Sequence, residues 1–212
     1  MVRLFCFGQS GNAYKVALML TLCDIAWEPV LVDFFNGETR TDGYRMRVNA
    51  MGEAPVLERN GEYLSQSGVI LNRLARETGL FAPPTDREWE ECWRWILFDN
   101  QKFTANLAAY RFLRCFAPKP ADPAVLAFMK GRATAAYDIA DKHLATRDFV
   151  LGGEPTIADI SMAGYVFYPS DETGFDLAQT HPAVDSWRNR IQNLPGWRGP
   201  YDLMPRAALP TA

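Results

Sequence analysis

The stretch FGQSGNAYKVALML, residues 7–20, decides how this chain is read. Before it, residues 2–7 (VRLFCF) form an apolar run short enough for one buried strand. After the turn, Val16, Leu20 and Cys23 recur at helical spacing, and Ala17 and Leu18 widen the apolar face, so residues 12–24 are expected to be helical. Gly8, Ser10, Gly11 and Asn12 fill the turn itself. Two readings are open for it: a plain strand-to-helix connection with a good N-cap, or a helix N-terminus aimed at a ligand.

The following segments set the frame. Residues 28–35 (EPVLVDFF), rich in β-branched and aromatic side chains, give a second strand and a right-handed β-α-β unit. An irregular, charged segment with Gly37 and Gly43 comes next. Residues 54–66 (APVLERNGEYLSQ) place two apolar runs around Asn60-Gly61, a strong hairpin signal. SGVILNRLARETG, residues 67–79, starts on a hydroxyl residue and stops at a glycine, as a capped helix does. The adjacent prolines of GLFAPPTDRE (79–88) mark a domain boundary. The expected fold class is thus α+β with two domains: a thioredoxin-like β-α-β-β-β-α domain over 1–78, a linker over 79–85, and an all-helical C-terminal domain over 86–212. Helical patterns there run over 87–116, 122–146, 156–168 and 183–193. Thr156 and Asp159 form a capping-box variant whose job is folding rather than chemistry.

Composition narrows the function. A hydrophobic fraction of 48% in 212 residues supports a full-sized core. A net charge of −3 without a basic block argues against nucleic acid as partner. The N-terminal MVRLFCF is too short for a signal peptide and no run reaches the length of a membrane span, so a soluble, cytoplasmic protein without membrane contact is expected. Cys6, Cys23, Cys92 and Cys115 lack C-x-x-C or zinc spacing, and only His143 and His181 could assist them, so no metal site is expected. These cysteines read as small buried hydrophobes.

In a thioredoxin-like domain the turn after the first strand is where redox members carry C-x-x-C. Ser10-Gly11-Asn12-Ala13 stands there instead, so any thiol must arrive with a ligand. In that order and spacing, SGNAYKV, GEAPVL, LSQSGVI, the proline linker and PTIADISMAGY make the chain resemble a cytosolic glutathione transferase of the bacterial, theta-, delta- or nu-like kind, over nearly its whole length.

The resemblance implies glutathione as co-substrate and a thiolate-activating role for Ser10, as in theta- and delta-like members, or for Asn12, as in nu-like ones. Moving a thiol pKa from about 8.5 to about 6.5 requires roughly 2.7 kcal/mol. One hydrogen bond to a charged group supplies about 1.5–3 kcal/mol and a helix N-terminus about 0.3–2. Lys15 reads as a solvated helix charge. Pro55 matches a cis-proline that presents the Ala54 backbone to the cysteinyl amide of glutathione. Gln66 and Ser67 match the pair that holds its γ-glutamyl end, with Ser67 as N-cap the competing reading. Glu53 stands where several relatives carry Lys or Gln near the glycyl carboxylate; either Arg40 holds that group or Glu53 contributes only backbone. The resemblance also implies a hydrophobic electrophile as second substrate, for which Phe103, Tyr110 and Tyr165 are the chosen pocket residues, and a homodimer in which Asp99 or Asn100 reaches the partner's glutathione. Three functions follow: transfer of glutathione in detoxification, glutathione-dependent disulfide reduction, or a scaffold or ligand carrier without turnover.

Overall fold

Strand β1 (Val2–Cys6) alternates buried and exposed side chains, with Leu4 and Cys6 fully buried, and lies at the centre of a mixed sheet. A computed structural model describes residues 1–209. They divide into two compact units: Met1–Leu80 with the described part of Pro195–Ala212, and Phe81–Leu194.

In the first unit β1 is followed by α1 (Gly11–Leu22), β2 (Trp27–Leu31), a 3₁₀ turn (Glu38–Arg40), α2 (Asp42–Arg47), β3 (Val56–Arg59), β4 (Glu62–Ser65) and α3 (Ser67–Thr78). The sheet order is β2-β1-β3-β4. Strand β2 runs parallel to β1, while β3 pairs antiparallel with β1 and β4. Leu4 opposes Leu57 across the central pair, and each such fully buried aliphatic contributes about 1.5–3 kcal/mol. The β3–β4 hairpin turns on Asn60 and Gly61, both at positive φ (55° and 82°), as an Asn-Gly turn requires.

The expected strand order holds, with two differences. The segment read as irregular contains α2, started by Thr41, whose hydroxyl accepts from the Tyr44 N–H. Strand β2 stops at Leu31 because Phe34 and Phe35 turn away to pack on Phe7, with Phe34 stacked on it at 4.6 Å. Helix α1 is buried almost all round because α3 and a short helix, α11 (Pro200–Leu203), both pack on it. The C-terminal segment thus belongs to the first unit, whereas the sequence reading assigned all of 86–212 to the helical domain. That return rests on long-range bonds such as Tyr14 Oη to the Arg198 carbonyl (2.9 Å), which leave no local periodicity to read.

The second unit contains α4 (Asp86–Phe98), a π-helical turn (Asp99–Phe103), α5 (Thr104–Cys115), α6 (Pro123–Leu144), α7 (Ile157–Met162), the single turns α8 (Ser170–Thr173) and α9 (Leu177–Thr180), and α10 (Pro182–Gln192). Two of the expected helices are shorter than their patterns: 87–116 is interrupted by the π turn, and 156–168 is regular only through Met162. The core is aromatic around Tyr137, whose ring lies 4.8 Å from Phe103, 4.9 Å from Phe175 and 5.1 Å from His181. Arg111, with a side chain 2% exposed, pairs with Glu172 and lies 3.8 Å over the Tyr168 ring, so its charge is both neutralised and stacked.

Asp159 is the hub of this unit. It completes the capping box with Thr156 and also accepts from Val150 N (2.8 Å) and Trp187 Nε1 (2.9 Å). Burial raises its carboxyl above the ordinary value, opposed by these donors.

His143 gives the unit a pH dependence. Its ring lies 4.3 Å from that of Trp95, and Nε2 sits 2.7 Å from the Val150 carbonyl, so that nitrogen carries the proton. Burial lowers its pKa below 6.5, helped by Arg147 and opposed by the Val150 bond and Glu91. The folded state therefore favours neutral imidazole: this contribution is full above pH 6.5 and is lost as pH falls through the folded value. The melting temperature is expected to drop as pH falls below about 6.5, and H143Q, compared with wild type in the same buffers, to lose that part of the drop.

Candidate functional site

The turn between β1 and α1 is built by Ser10, which sits at φ −90°, ψ 108° and caps α1 by accepting from the Ala13 N–H at 3.2 Å. That bond uses an oxygen lone pair, so the hydroxyl proton stays available to a second partner. Capping and ligand donation are compatible at Ser10. Two residues on, Asn12 keeps its Oδ1 buried without a hydrogen-bond partner among the described residues. No acidic residue occupies the first turn of α1, so its positive end is not neutralised from within the helix.

Other groups near the turn are not available for chemistry. The Tyr14 hydroxyl is donated to the Arg198 carbonyl, and burial pushes the phenol well above its ordinary range. Lys15 is fully buried rather than a solvated charge. Burial likewise raises all four thiols, Cys6 and Cys92 to about 12. At neutral pH none of them is a thiolate.

A second cluster of the same unit gathers residues 44–67. The Ala54-Pro55 bond is cis. The Glu53 carbonyl accepts from Tyr44 Oη (3.0 Å) and Asn49 Nδ2 (3.1 Å), so two side chains fix the backbone entering that bond. Gln66 lies at φ 68°, ψ 108°, a conformation unfavourable for a residue with a side chain. Its amide donates to Glu53 Oε2 at 2.7 Å. The acid that stood out as awkward in the sequence is thus paired with Gln66. Gln66, not Ser67, is the N-cap of α3, and it makes no side-chain cap bond. Ser67 is the first helical residue, buried, at an N-terminus whose first turn has no acid, which suits an anion better than a cap does.

Arg40 is exposed, and its guanidinium lies over Gly37, where an added Cβ would come within 2.7 Å of Nη2. Arg45, which the sequence did not single out, packs on Gly52 beside Glu53; a Cβ there would meet Arg45 Nη2 at 2.9 Å and the Thr39 carbonyl at 2.8 Å. It went unread because it lies on α2, inside the segment taken as irregular.

In the helical unit the chosen pocket residues are distributed through the packing. Phe103 (3% exposed) contacts Tyr137 and Phe98, and Tyr110 (5%) contacts Phe175 and accepts from Arg114 Nη1. Tyr165 packs on Tyr168 and faces the Arg111 guanidinium at 5.8 Å. Asp99 is turned inward, accepting from Ser161 Oγ at 2.6 Å with no exposure, so it does not reach outward from the π turn; Asn100 is exposed. Among the described residues no group of three His, Cys, Asp or Glu side chains could hold a metal ion, and no helix is long and apolar enough to cross a membrane.

A four-stranded mixed sheet in the first unit and a mostly helical second unit follow one another along the chain. Residues 1–76 match the glutathione S-transferase N-terminal domain and residues 123–190 its C-terminal domain. A possible glutathione S-transferase from Rhodopseudomonas palustris superposes with a TM-score of 0.87 at 35% identity, covering 99% of this chain and 94% of that one. The maleylacetoacetate isomerase of Rhizobium meliloti is 30% identical over 171 residues, 77% of this chain and 79% of its own. The disulfide-bond oxidoreductase YfcG of Escherichia coli is 26% identical over 202 residues, 92% of each. The chain belongs to the glutathione S-transferase family.

Proposed function

We propose that the protein binds glutathione on its first unit and transfers it, as the thiolate, to a hydrophobic electrophile. The observation that carries this reading is the turn at the start of α1, where the Ser10 O–H and the un-neutralised helix end come together beside Asn12, whose amide NH2 is the part able to donate to sulfur. The thiol gives its proton to solvent, and these groups stabilise the sulfur anion. Sulfur then attacks the electrophilic carbon, a C–S bond forms, and the leaving group departs with its electron pair. Gln66 and Ser67 hold the γ-glutamyl end, the Ala54 backbone holds the cysteinyl amide, and Arg45 or Arg40 faces the glycyl carboxylate, since Glu53 is engaged with Gln66. Phe103, Tyr110 and Tyr165 remain the pocket side chains of this proposal. A dimer and a reducing, cytoplasmic location belong to it as well, the latter supported by four free cysteines.

A second reading, glutathione-dependent disulfide reduction, is supported by the full-length match to YfcG and by the raised protein thiols. With no protein thiolate, one glutathione would cleave the disulfide to a mixed disulfide and a second would displace the remaining thiolate, leaving oxidised glutathione.

The test is calorimetry of glutathione binding together with the ultraviolet difference band of its thiolate. Binding is expected, with a thiolate pKa about one to two units below that of free glutathione. Absence of binding would overturn both readings in favour of a scaffold, and binding of the neutral thiol would overturn activation. Turnover of an aryl halide against that of a small aliphatic disulfide then separates the two chemistries.

A further inference from the structure

The strand-to-helix turn is held from outside by the end of the chain. Gln9, directly before Ser10, is 8% exposed and uses both ends of its amide on one residue. Nε2 donates to the Ala207 carbonyl at 2.8 Å, and Oε1 accepts from the Ala207 N–H at 3.0 Å. One residue earlier, the Gly8 N–H donates to the Pro205 carbonyl at 2.6 Å. The approach is close enough that a Cβ on Gly8 would lie 3.2 Å from the carbonyl oxygens of Met204 and Pro205 and from Tyr201 Cδ1. Ala207 itself, 4% exposed, is buried in a cluster with Phe7, Val32 and Tyr44, against which Ala54 also packs. The hydroxyl of that same Tyr44 holds the Glu53 carbonyl.

We propose that the segment Met204–Ala207, clasped by Gln9, is a positioning element for the thiolate-binding turn, and that Gln9 is a positioning residue for the reaction. This rests on the reading of Ser10 and Asn12 given above. The physical case is one of constraint. Residues 8–10 lie outside regular structure; the Ser10 N–H donates to the Phe7 carbonyl at 3.0 Å, and Ser10 accepts from the Tyr14 N–H (2.9 Å) and, at Oγ, from the Ala13 N–H (3.2 Å), which ties Ser10 to the helix but not the two residues before it. The tail adds three hydrogen bonds to the two residues before Ser10, two of them a cyclic amide pair that fixes both distance and orientation. A donor set stabilises a developing charge only where it is already in place, and small displacements of such groups cost rate steeply. Because Ala207 packs in one cluster with Phe7, Tyr44 and Ala54, the tail also couples the activating turn to the Glu53-Ala54 backbone.

The clasp is tested with Q9E, which retains an acceptor for the Ala207 N–H but sets an oxygen against its carbonyl, and with a chain ending after Leu203, which keeps α11. For each, the thiolate pKa of bound glutathione, kcat, KM and amide hydrogen exchange of residues 8–13 are measured. The expected result for Q9E is a raised thiolate pKa, kcat reduced about tenfold with KM for glutathione changed less, and faster exchange across the turn. The truncated chain should show the same pattern more strongly; if it fails to fold, Q9E alone carries the test. A lower melting temperature with unchanged thiolate pKa and unchanged exchange of the turn would reduce the clasp to a stabilising contact and overturn the proposal. If wild type shows no thiolate band, the functional reading fails, whereas a wild-type band that Q9E leaves unmoved sinks the clasp alone.

Discussion

Replacement of Asp159 by alanine is expected to cost about 3–5 kcal/mol, a large share of a stability in the ordinary range of about 5–15. The carboxylate is fully buried and accepts from the Val150 and Thr156 backbone N–H groups, the Thr156 hydroxyl and Trp187 Nε1. Deleting it strands three buried N–H donors at once, each costing about 1–3 kcal/mol, partly relieved where water can enter. Trp187 is itself fully buried, so its indole N–H has little access to solvent. D159N should lose less, because one oxygen survives for Val150 and Trp187, while its NH2 group is set against the Thr156 N–H. Urea unfolding followed by circular dichroism reads both. A loss under about 1 kcal/mol for D159A would mean that the network is replaced rather than broken.

Asp159 also marks where sequence reading stops. Its place in a capping box was legible from Thr156 three residues earlier, and the box forms. Its bonds to Val150 and Trp187 were not, because no local pattern encodes contacts across 9 and 28 residues. The same division holds elsewhere. Asn60-Gly61 and Gly79 announced a hairpin and a helix end because the backbone at those points needs positive φ, and each has it. The six-residue helix α2 was hidden in a charged stretch too short to display a period, and Arg45 went unnoticed with it. The π turn at Asp99–Phe103 leaves an apolar run that still reads as helix, yet it rotates the register enough to bury Asp99 against Ser161. Gln66 at positive φ was legible as a motif residue but not as the cap, since the motif specifies side chains and the cap depends on backbone dihedrals. The tail's return to Gln9 joins positions 198 apart in sequence, and only the folded chain reveals it.

The two donors of the activating turn are expected to separate cleanly under mutation. S10A removes the hydroxyl proton offered to sulfur and also the cap on the Ala13 N–H. Its stability should fall by about 1 kcal/mol, and the bound thiol, losing one hydrogen bond worth about 1.5–3 kcal/mol to the anion, should rise by about one to two pH units. N12A removes a buried Oδ1 that has no hydrogen-bond partner among the described residues, so its stability should change little or rise, and only the loss of the Nδ2 donor can weaken the thiolate. Whatever N12A loses in thiolate stabilisation is therefore a loss of ligand contact alone. At about pH 7, with a wild-type thiol pKa of about 6.5, each variant that raises it by about one to two units should turn over about 3- to 25-fold more slowly, and the double variant more slowly still. The deficit should shrink as pH rises toward about 8.5, where free thiols ionise without help. The wild-type rate reaches its plateau above the lowered pKa, and the variants reach theirs only above the raised one. Rate–pH profiles for wild type, S10A, N12A and the double variant, paired with thermal melts, decide the assignment. A variant that melts lower with an unchanged profile has lost only a cap, and one with a shifted profile at unchanged melting temperature has lost a donor to sulfur. If all four profiles coincide, the turn is a helix start and the thiolate is stabilised by groups other than Ser10 and Asn12.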